Sequence, residues 1–191
     1  MMDKATKIHI LMGGVLAAIS LLALYFRWSG LVSGLVVILI NIYLVAMLYE
    51  AFHRSAAERK IKNNVLLEKP AYFFSFPSRP WTGLLILFIV STSISGFANM
   101  YIDSGDIAYL GPVVEISGSS VESKVIIPQP SIMRNQIDAL YFSLVTMITL
   151  GYGDFLPVST VARMLVMWQL ATGGLLVIGI FPLIISRAAD F

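Results

Sequence analysis

Four long apolar stretches divide the chain, and polar residues are concentrated between them. Each stretch reaches about 20 residues, the length that a helix needs to cross the hydrocarbon core of a bilayer at about 1.5 Å per residue. None of the four has a charged residue in its interior. The pattern therefore predicts four transmembrane helices, which cover Ile8–Phe26, Leu31–Tyr49, Trp81–Tyr101 and Met164–Ile185.

The composition also indicates a chain that is surrounded mostly by lipid. Of the 191 residues, 58% are hydrophobic and 13% are charged, whereas about a quarter of a typical soluble domain is charged. A soluble protein with buried helices is the alternative, but such helices rarely run this long without a charge. Cysteine is absent, which excludes disulfides and thiolate metal sites. The first apolar run is longer than a signal-peptide core and no small-residue cleavage motif follows it, so we expect it to be retained.

The distribution of basic residues predicts the orientation in the membrane. Lys4 and Lys7 precede the first helix, and Arg187 follows the fourth. Six further basic residues lie between the second and third helices: Arg54, Arg59, Lys60, Lys62, Lys69 and Arg79. Because basic residues favour cytoplasmic loops, we expect a multi-pass protein of the cell membrane with both termini in the cytoplasm. The acid-rich loop 102–135 is then external.

The cytoplasmic linker 53–80 leaves two interpretations open. Ala57, Ile61 and Val65 would share one face of an interfacial helix. On the other face, basic side chains would meet anionic lipid headgroups, and these are Arg59, Lys60 and Lys62. The alternative is a solvated loop that carries only the charges of the cytoplasmic side.

Between the third and fourth apolar stretches lies a short apolar segment that predicts a re-entrant loop. Residues 136–148 (QIDALYFSLVTMI) form a helix of only about 20 Å, too short to cross the bilayer. Residues 149–154 (TLGYGD) follow it at once. Irregular backbone at membrane depth is tolerated only inside protein or along water. The segment therefore suggests a pore.

The sequence Thr149–Asp154 resembles the TxGYGD selectivity filter of potassium channels, and the resemblance covers the chain from Trp81 to about Arg187. It implies that K⁺, the permeant ion and the only ligand expected, is bound by backbone carbonyls. Gly151 and Gly153 can take the positive φ values that turn these carbonyls to one side. By resemblance, the ion-binding residues are Thr149, Leu150, Gly151, Tyr152 and Gly153, with the Thr149 hydroxyl at the inner end and the Tyr152 side chain supporting the filter from outside. A complete ring of carbonyls needs four copies, which predicts a homotetramer.

Three residues are expected to support the filter, and these are Asp154, Tyr141 and Val145. Some bacterial relatives carry a glutamate in the short helix, bonded to the filter aspartate, at the position that Val145 occupies here. That partnership is lost, so we predict that Asp154 accepts a hydrogen bond from Tyr141 instead. Leu150 stands where valine or isoleucine is commoner, but its carbonyl remains suitable.

The fourth helix is expected to line the cavity and to carry the gate. Small or helix-breaking residues could form a hinge, and these are Gly173, Gly174, Gly179 and Pro182. Ordinary close packing by small residues is the open alternative. Thr172 is expected to offer a hydroxyl to the hydrated cavity. No arginine lies inside the first two helices, so they lack voltage-sensing charges. Only four residues follow Arg187, so no cytoplasmic ligand-binding domain is expected.

The expected fold is an all-α membrane protein with four transmembrane helices, one re-entrant pore helix with its filter loop, and a homotetrameric pore. Residues 1–52 form a two-helix hairpin, 53–80 a linker and 81–191 the pore domain. Within the pore domain, the outer helix covers 81–101, the external loop 102–135, the pore helix 136–148, the filter 149–154 and the inner helix 158–187. The predicted function is passive, potassium-selective conduction rather than catalysis or nucleic-acid binding. A non-selective cation channel and a non-conducting regulatory subunit are the alternatives, and the small size suggests a prokaryotic source.

Overall fold

The computed structural model describes residues 4–62, 79–110, 114–116, 124–126 and 131–180. In these residues the helices are α1 (Lys4–Tyr25), α2 (Gly30–Lys62), α3 (Arg79–Ser104), α4 (Gln136–Met147) and α5 (Thr160–Gly174), and a π turn (Leu175–Ile180) continues α5. All but α4 are long and apolar enough to cross a membrane, so this part of the chain has four membrane-capable helices. The prediction of an all-α membrane protein with four such helices is confirmed.

Helix α3 is the centre of the bundle, and α1 packs along it through small residues. The Ser95 hydroxyl donates to the Ser20 hydroxyl at 2.8 Å, and the Ser20 hydroxyl donates to the Thr92 carbonyl at 3.1 Å. A Cβ atom on Gly96 would lie 2.6 Å from the Val37 side chain on α2. Small residues therefore bring α1, α2 and α3 into close contact, as is common between helices in membranes.

Two polar links fix the start of α2 against the end of α3. The Gly30 amide donates to the Asp103 carboxylate at 2.9 Å, and so Asp103 satisfies one of the free amides at the N-terminus of α2. The Asn99 side-chain amide donates to the Trp28 carbonyl at 2.8 Å and to the Ser33 hydroxyl at 2.9 Å. Helices α2 and α3 are therefore antiparallel neighbours.

Helix α2 continues without a break beyond the membrane-spanning part. Its 33 residues give a length of about 50 Å, well over the thickness of a hydrocarbon core of about 30 Å. No glycine or proline lies between Glu50 and Lys62 to end it. Up to Lys62, the linker is thus a continuation of α2 rather than a solvated loop, and its contact with anionic headgroups stays a prediction. The side chains of Arg59, Lys60 and Lys62 lie outside the described residues.

Residues 102–135 contain short strands where the sequence predicted only a loop. Strand β1 (Ile107–Tyr109) is central in an antiparallel sheet, between β4 (Ser131–Ile132) and β5 (Phe155–Pro157). A separate pair is formed by β2 (Val114–Ile116) and β3 (Lys124–Ile126). Because β5 directly follows residues 149–154, the three-stranded sheet anchors the end of that segment to the end of α3.

Two buried clusters fill the bundle. The outer cluster joins α3, α4 and β5 through aromatic side chains, with the rings of Tyr101 and Phe142 4.9 Å apart. The inner cluster joins α2, α3, the end of α4 and the π turn, and it consists of Ile40, Leu44, Met47, Leu85, Ile89, Met147 and Leu176. The end of the short helix α4 is therefore packed on both sides by membrane-spanning helices.

Candidate functional site

Helix α4 aims its C-terminus at residues 149–154. Its start is capped by Asn135, whose side-chain oxygen accepts from the Ile137 amide at 2.9 Å, and Asp138 in the first turn suits the positive end of the helix dipole. Its 12 residues span about 18 Å and end inside the bundle. The partial negative charge at that end favours a cation beside it.

The end of α4 is a Schellman motif with an unusual residue. The Leu150 amide donates to the Val145 carbonyl at 2.9 Å, and the Thr149 amide donates to the Thr146 carbonyl at 3.1 Å. Thr149 occupies the left-handed position with φ = 60°, where glycine is usual. A β-branched residue there is a backbone outlier, and such strain is concentrated at functional sites. The Val145 side chain is buried, and this residue supports the segment through its backbone carbonyl.

Positive φ values alternate along the segment, at Thr149, Gly151 (55°) and Gly153 (82°). In an ordinary strand, successive carbonyls point to opposite sides. When left-handed residues alternate with residues of other conformations, the carbonyls no longer follow this pattern. A Cβ atom on either glycine would meet nothing within 4 Å, so the backbone conformation rather than space requires glycine. Sequence reasoning predicted positive φ values for the two glycines. It missed the positive φ of Thr149, because threonine rarely takes such a value.

The five carbonyls of residues 149–153 accept no hydrogen bond from any part of the chain that the structure describes. The segment is also open on one side, since Leu150 and Tyr152 are 52% and 67% exposed. At membrane depth an unpaired carbonyl is costly unless it faces water, an ion or another chain. The structure thus leaves five consecutive backbone carbonyls without a hydrogen-bond partner among the described residues, at the positions predicted to bind the ion.

Beyond Gly153 the backbone is tied down again. The Asp154 carbonyl accepts from the Leu110 amide at 2.7 Å, and the Asp154 carboxylate accepts from the Phe155 amide at 3.1 Å. The Tyr152 ring lies parallel to the Tyr141 ring on α4, with centroids 6.5 Å apart. The free segment therefore has two fixed ends and an aromatic support against its own pore helix.

A side-chain hydrogen bond to Asp154 is among the influences on Tyr141, and its role in supporting the filter stays a prediction. Burial raises the pKa of the Tyr141 phenol, and the bond to Asp154 and the charges of Asp154 and Tyr152 raise it further. The phenol therefore keeps its proton, and the bond, to a higher pH than a free tyrosine, whose pKa is about 10.

We expect Tyr141→Phe to reduce the stability that K⁺ confers on the folded protein, measured as the shift of the unfolding midpoint between K⁺ and Na⁺ buffers. In the unmutated protein this contribution is fully present below pH 10 and is lost as the pH rises through the raised pKa of Tyr141. The variant should lack that alkaline step. Tyr109→Phe, on the neighbouring strand, serves as the control. A K⁺-dependent shift unchanged in Tyr141→Phe would show that this bond does not support the filter.

Behind the segment lies a buried polar network that sequence reasoning missed. The Gln169 side-chain amide on α5 donates to the carbonyl and the hydroxyl of Ser143 at 2.8 and 2.7 Å. The Tyr101 hydroxyl on α3 donates to the Gln169 side-chain oxygen at 2.6 Å, and the Ser143 hydroxyl donates to the Ile94 carbonyl at 2.8 Å. The signal was a glutamine inside an apolar stretch, because such residues hydrogen-bond across helices.

The prediction for Thr172 is wrong. Its side chain is buried, and its hydroxyl donates to the Asn41 side-chain oxygen of α2 at 3.0 Å rather than facing a cavity. A cleft of about 540 Å³ lies on the opposite side of α5. It is lined by Thr149 and by residues that include Leu170, Gly174 and Val177.

The structure distinguishes the two central glycines of the predicted hinge. A Cβ atom on Gly173 would lie 2.9 Å from the Met147 carbonyl, so Gly173 allows the inner helix to pack against the end of α4. A Cβ atom on Gly174 would meet nothing within 4 Å. The π turn that contains Gly179 begins directly after it, and π-helical turns often mark functional sites. Pro182 lies outside the described residues.

Comparison with known proteins agrees with the geometry of this segment. Residues 121–190 match a family model described as an ion channel. Over 55 residues, the chain is 46% identical to two pore potassium channel b of Oryza sativa subsp. japonica and to two-pore potassium channel 1 of Arabidopsis thaliana. These alignments cover 29% of this chain and 15% and 14% of the two relatives, so the chain spans only a small part of their length.

No solved structure matches the chain. The prokaryotic source suggested by the small size is not borne out, since both relatives are plant proteins. The matched family is one of ion channels, which points to a transport role rather than to catalysis. This chain is therefore a multi-pass membrane protein in which residues 121–190 are similar to ion channels and a stretch of 55 residues is similar to plant potassium channels.

Proposed function

We propose that this chain is one subunit of a potassium-selective channel that conducts K⁺ passively across the cell membrane. The observation that carries the proposal is the set of five consecutive free carbonyls at residues 149–153, exposed at the C-terminal end of α4. Potassium must lose its hydration shell to pass, and closely spaced carbonyl oxygens can replace that water. The ion would bind at Thr149, Leu150, Gly151 and Tyr152, and conduction requires no other cofactor.

The residue types of the segment suit repeated binding and release of a monovalent cation. No charged side chain lies between Thr149 and Gly153, so oxygen dipoles rather than full charges would hold the ion. Weak binding at several sites allows an ion to leave as readily as it enters. Asp154 supplies a carboxylate at the outer end, and the negative end of the α4 dipole lies near the inner end.

We infer a homotetramer because one chain supplies one wall of the pore. A ring of carbonyls around an ion requires several copies arranged by cyclic symmetry. The surface that would meet the neighbouring copies is apolar and exposed in the single chain, and it includes Ile137, Leu144, Ile148, Val161, Met164 and Met167. We place both termini in the cytoplasm, where Arg59, Lys60 and Lys62 would meet anionic lipid.

The proposal is tested with purified protein in liposomes that carry a K⁺ gradient. We expect K⁺ flux and no flux when Na⁺ replaces K⁺. Equal flux of both ions would identify a non-selective cation channel, and a correctly folded tetramer without flux of either ion would favour a non-conducting regulatory subunit. Cross-linking and mass measurement in detergent would decide the number of copies.

Replacement of Gly151 by alanine should remove the potassium preference. Its φ of 55° is unfavourable for any residue with a Cβ, at a cost of about 1–2 kcal/mol, and relaxation would rotate the Gly151 carbonyl. We expect the ratio of K⁺ to Na⁺ flux to fall at least about tenfold. Gly105→Ala is the matched control, since Gly105 has a φ of 64° and equal free space but lies outside the filter. Preserved selectivity in Gly151→Ala would contradict the proposed role of the carbonyls.

A further inference from the structure

Helix α2 is hydrogen-bonded to the inner helix in the middle of the membrane. The Thr172 hydroxyl donates to the Asn41 side-chain oxygen at 3.0 Å, and the Asn41 side-chain amide donates to the Val37 carbonyl of its own helix at 2.8 Å. The two residues are 131 positions apart in the sequence. The bond therefore joins the N-terminal helix pair directly to the pore-lining helix.

Asn41 and Thr172 lie at similar depths in the membrane. Helices α2 and α5 both begin on the side of the membrane where α3 ends, since Asp103 binds the Gly30 amide and Asp106 accepts from Ser159 at 2.6 Å. Asn41 lies 11 residues after Gly30, or about 17 Å along its helix, and Thr172 lies 12 residues after Thr160, or about 18 Å. Both polar groups are thus far from either membrane surface, where water cannot compete for the bond.

The Thr172 hydroxyl has two acceptors but a single proton. It lies 3.0 Å from the Asn41 side-chain oxygen and 3.1 Å from the Trp168 carbonyl, one turn earlier on α5. The Thr172 hydroxyl can therefore lose its hydrogen bond to Asn41 and still donate to the Trp168 carbonyl of its own helix. Such an exchange gives the contact two discrete arrangements, as a conformational switch requires.

Apolar contacts extend the same interface along the π turn. Leu176 is buried with Ile40 and Leu44 of α2 in the inner cluster. Leu175 lines a cavity together with Val45 and Tyr49. Helix α2 thus supports the inner helix from Thr172 onward, over the part that follows Gly173 and Gly174.

We propose that Asn41 is a positioning residue through which α2 holds the inner helix away from the pore axis and so favours the open pore. This inference rests on the proposed channel function for its effect on conduction. Thr172 lies on the buried face of the inner helix, whereas Leu170, Val177 and Ile178 are exposed and line the cleft next to the filter. A bond on the buried face opposes movement of the helix toward that cleft.

Asn41→Leu is the informative variant. It removes the bond, and the Thr172 hydroxyl can still donate to the Trp168 carbonyl, so no buried donor is left unpaired. Thr172→Val would instead leave the Asn41 oxygen without its donor in the membrane interior. The first change should therefore leave the fold intact.

The test compares single-channel recordings of the unmutated protein and Asn41→Leu in planar bilayers. We expect the open probability to fall at least about threefold, the effect of a single average hydrogen bond between membrane helices, since each copy loses one such bond. Conductance of the open channel and K⁺ selectivity should be unchanged. Exchange of the partners, Asn41→Thr with Thr172→Asn, should restore the open probability.

Ser33→Ala is the matched control, because it removes a buried hydrogen bond between α2 and α3 (Asn99 to Ser33, 2.9 Å) that does not touch the inner helix. It should leave the open probability unchanged. An equal fall in Ser33→Ala, or an unchanged or increased open probability in Asn41→Leu, would overturn the proposal.

A second measurement does not depend on conduction. Because the chain has no cysteine, spin labels can be placed only at Leu39→Cys on α2 and Ile178→Cys on the π turn. We expect the distance between the labels within one chain to widen in Asn41→Leu, and an unchanged distance would overturn the inference. If the unmutated protein conducts no ion, the proposed function fails while this distance still decides the role of Asn41.

Discussion

Replacement of Gly173 by alanine is expected to abolish potassium flux. The new Cβ atom would lie 2.9 Å from the Met147 carbonyl, a backbone atom that cannot rotate away as a side chain could. Overpacking of this kind costs about 1–3 kcal/mol per site, or about 4–12 kcal/mol for the four copies of the proposed tetramer. Either α5 or the end of α4 must shift, and Met147 lies two residues before Thr149. We expect flux in liposomes to fall more than about a hundredfold.

Gly174→Ala is the control for this change. It makes the same substitution one residue further along the inner helix, where a Cβ atom would meet nothing within 4 Å in the chain. Its flux should stay within a few-fold of the unmutated protein. If Gly173→Ala conducts normally, the end of α4 does not depend on close contact with the inner helix. A strong loss in Gly174→Ala alone would instead favour a hinge at that residue.

The sequence predicted the four membrane-capable helices and the positive φ values of Gly151 and Gly153 because both depend on local composition. A run of about 20 apolar residues has few stable alternatives to a spanning helix. Likewise, the glycines at 151 and 153 are required by backbone conformation, a property of the residues themselves. The short helix α4 was recognisable since its length excludes a full crossing. For these features, burial in lipid and backbone sterics dominate over tertiary contacts.

Features that depend on distant partners could not be predicted in the same way. Thr172 is polar within an apolar helix, which is as consistent with a cavity as with a helix contact, and only the position of Asn41 decides between them. The strands β1, β4 and β5 have two or three residues each, too few for an alternating pattern. The positive φ of Thr149 depends on the Schellman motif, which places that residue one position beyond Ile148, the C-cap of α4.

The polar contacts share a common arrangement around the inner helix. Gln169 and Thr172 are three residues apart and lie on the same buried face, where Gln169 meets α3 and α4 and Thr172 meets α2. Each bond involves a buried side chain of α5, away from solvent in the chain. Among the described residues, α5 is therefore joined by hydrogen bonds to α2, α3 and α4.

Gln169→Leu is expected to destabilise the folded protein and to reduce potassium flux. The change leaves the buried Tyr101 hydroxyl without its acceptor and releases Ser143, six residues before Thr149, from α5. Loss of a buried partner costs about 1–3 kcal/mol, whereas removal of both partners can be almost neutral. Tyr101→Phe added to Gln169→Leu should therefore recover part of the lost unfolding free energy, since it removes the unpaired hydroxyl. The four proteins form a double-mutant cycle, measured by denaturation in detergent and by flux in liposomes. A double variant whose losses equal the sum of the single losses would show that Tyr101 and Gln169 do not act together, and the pore helix would then be held by packing alone.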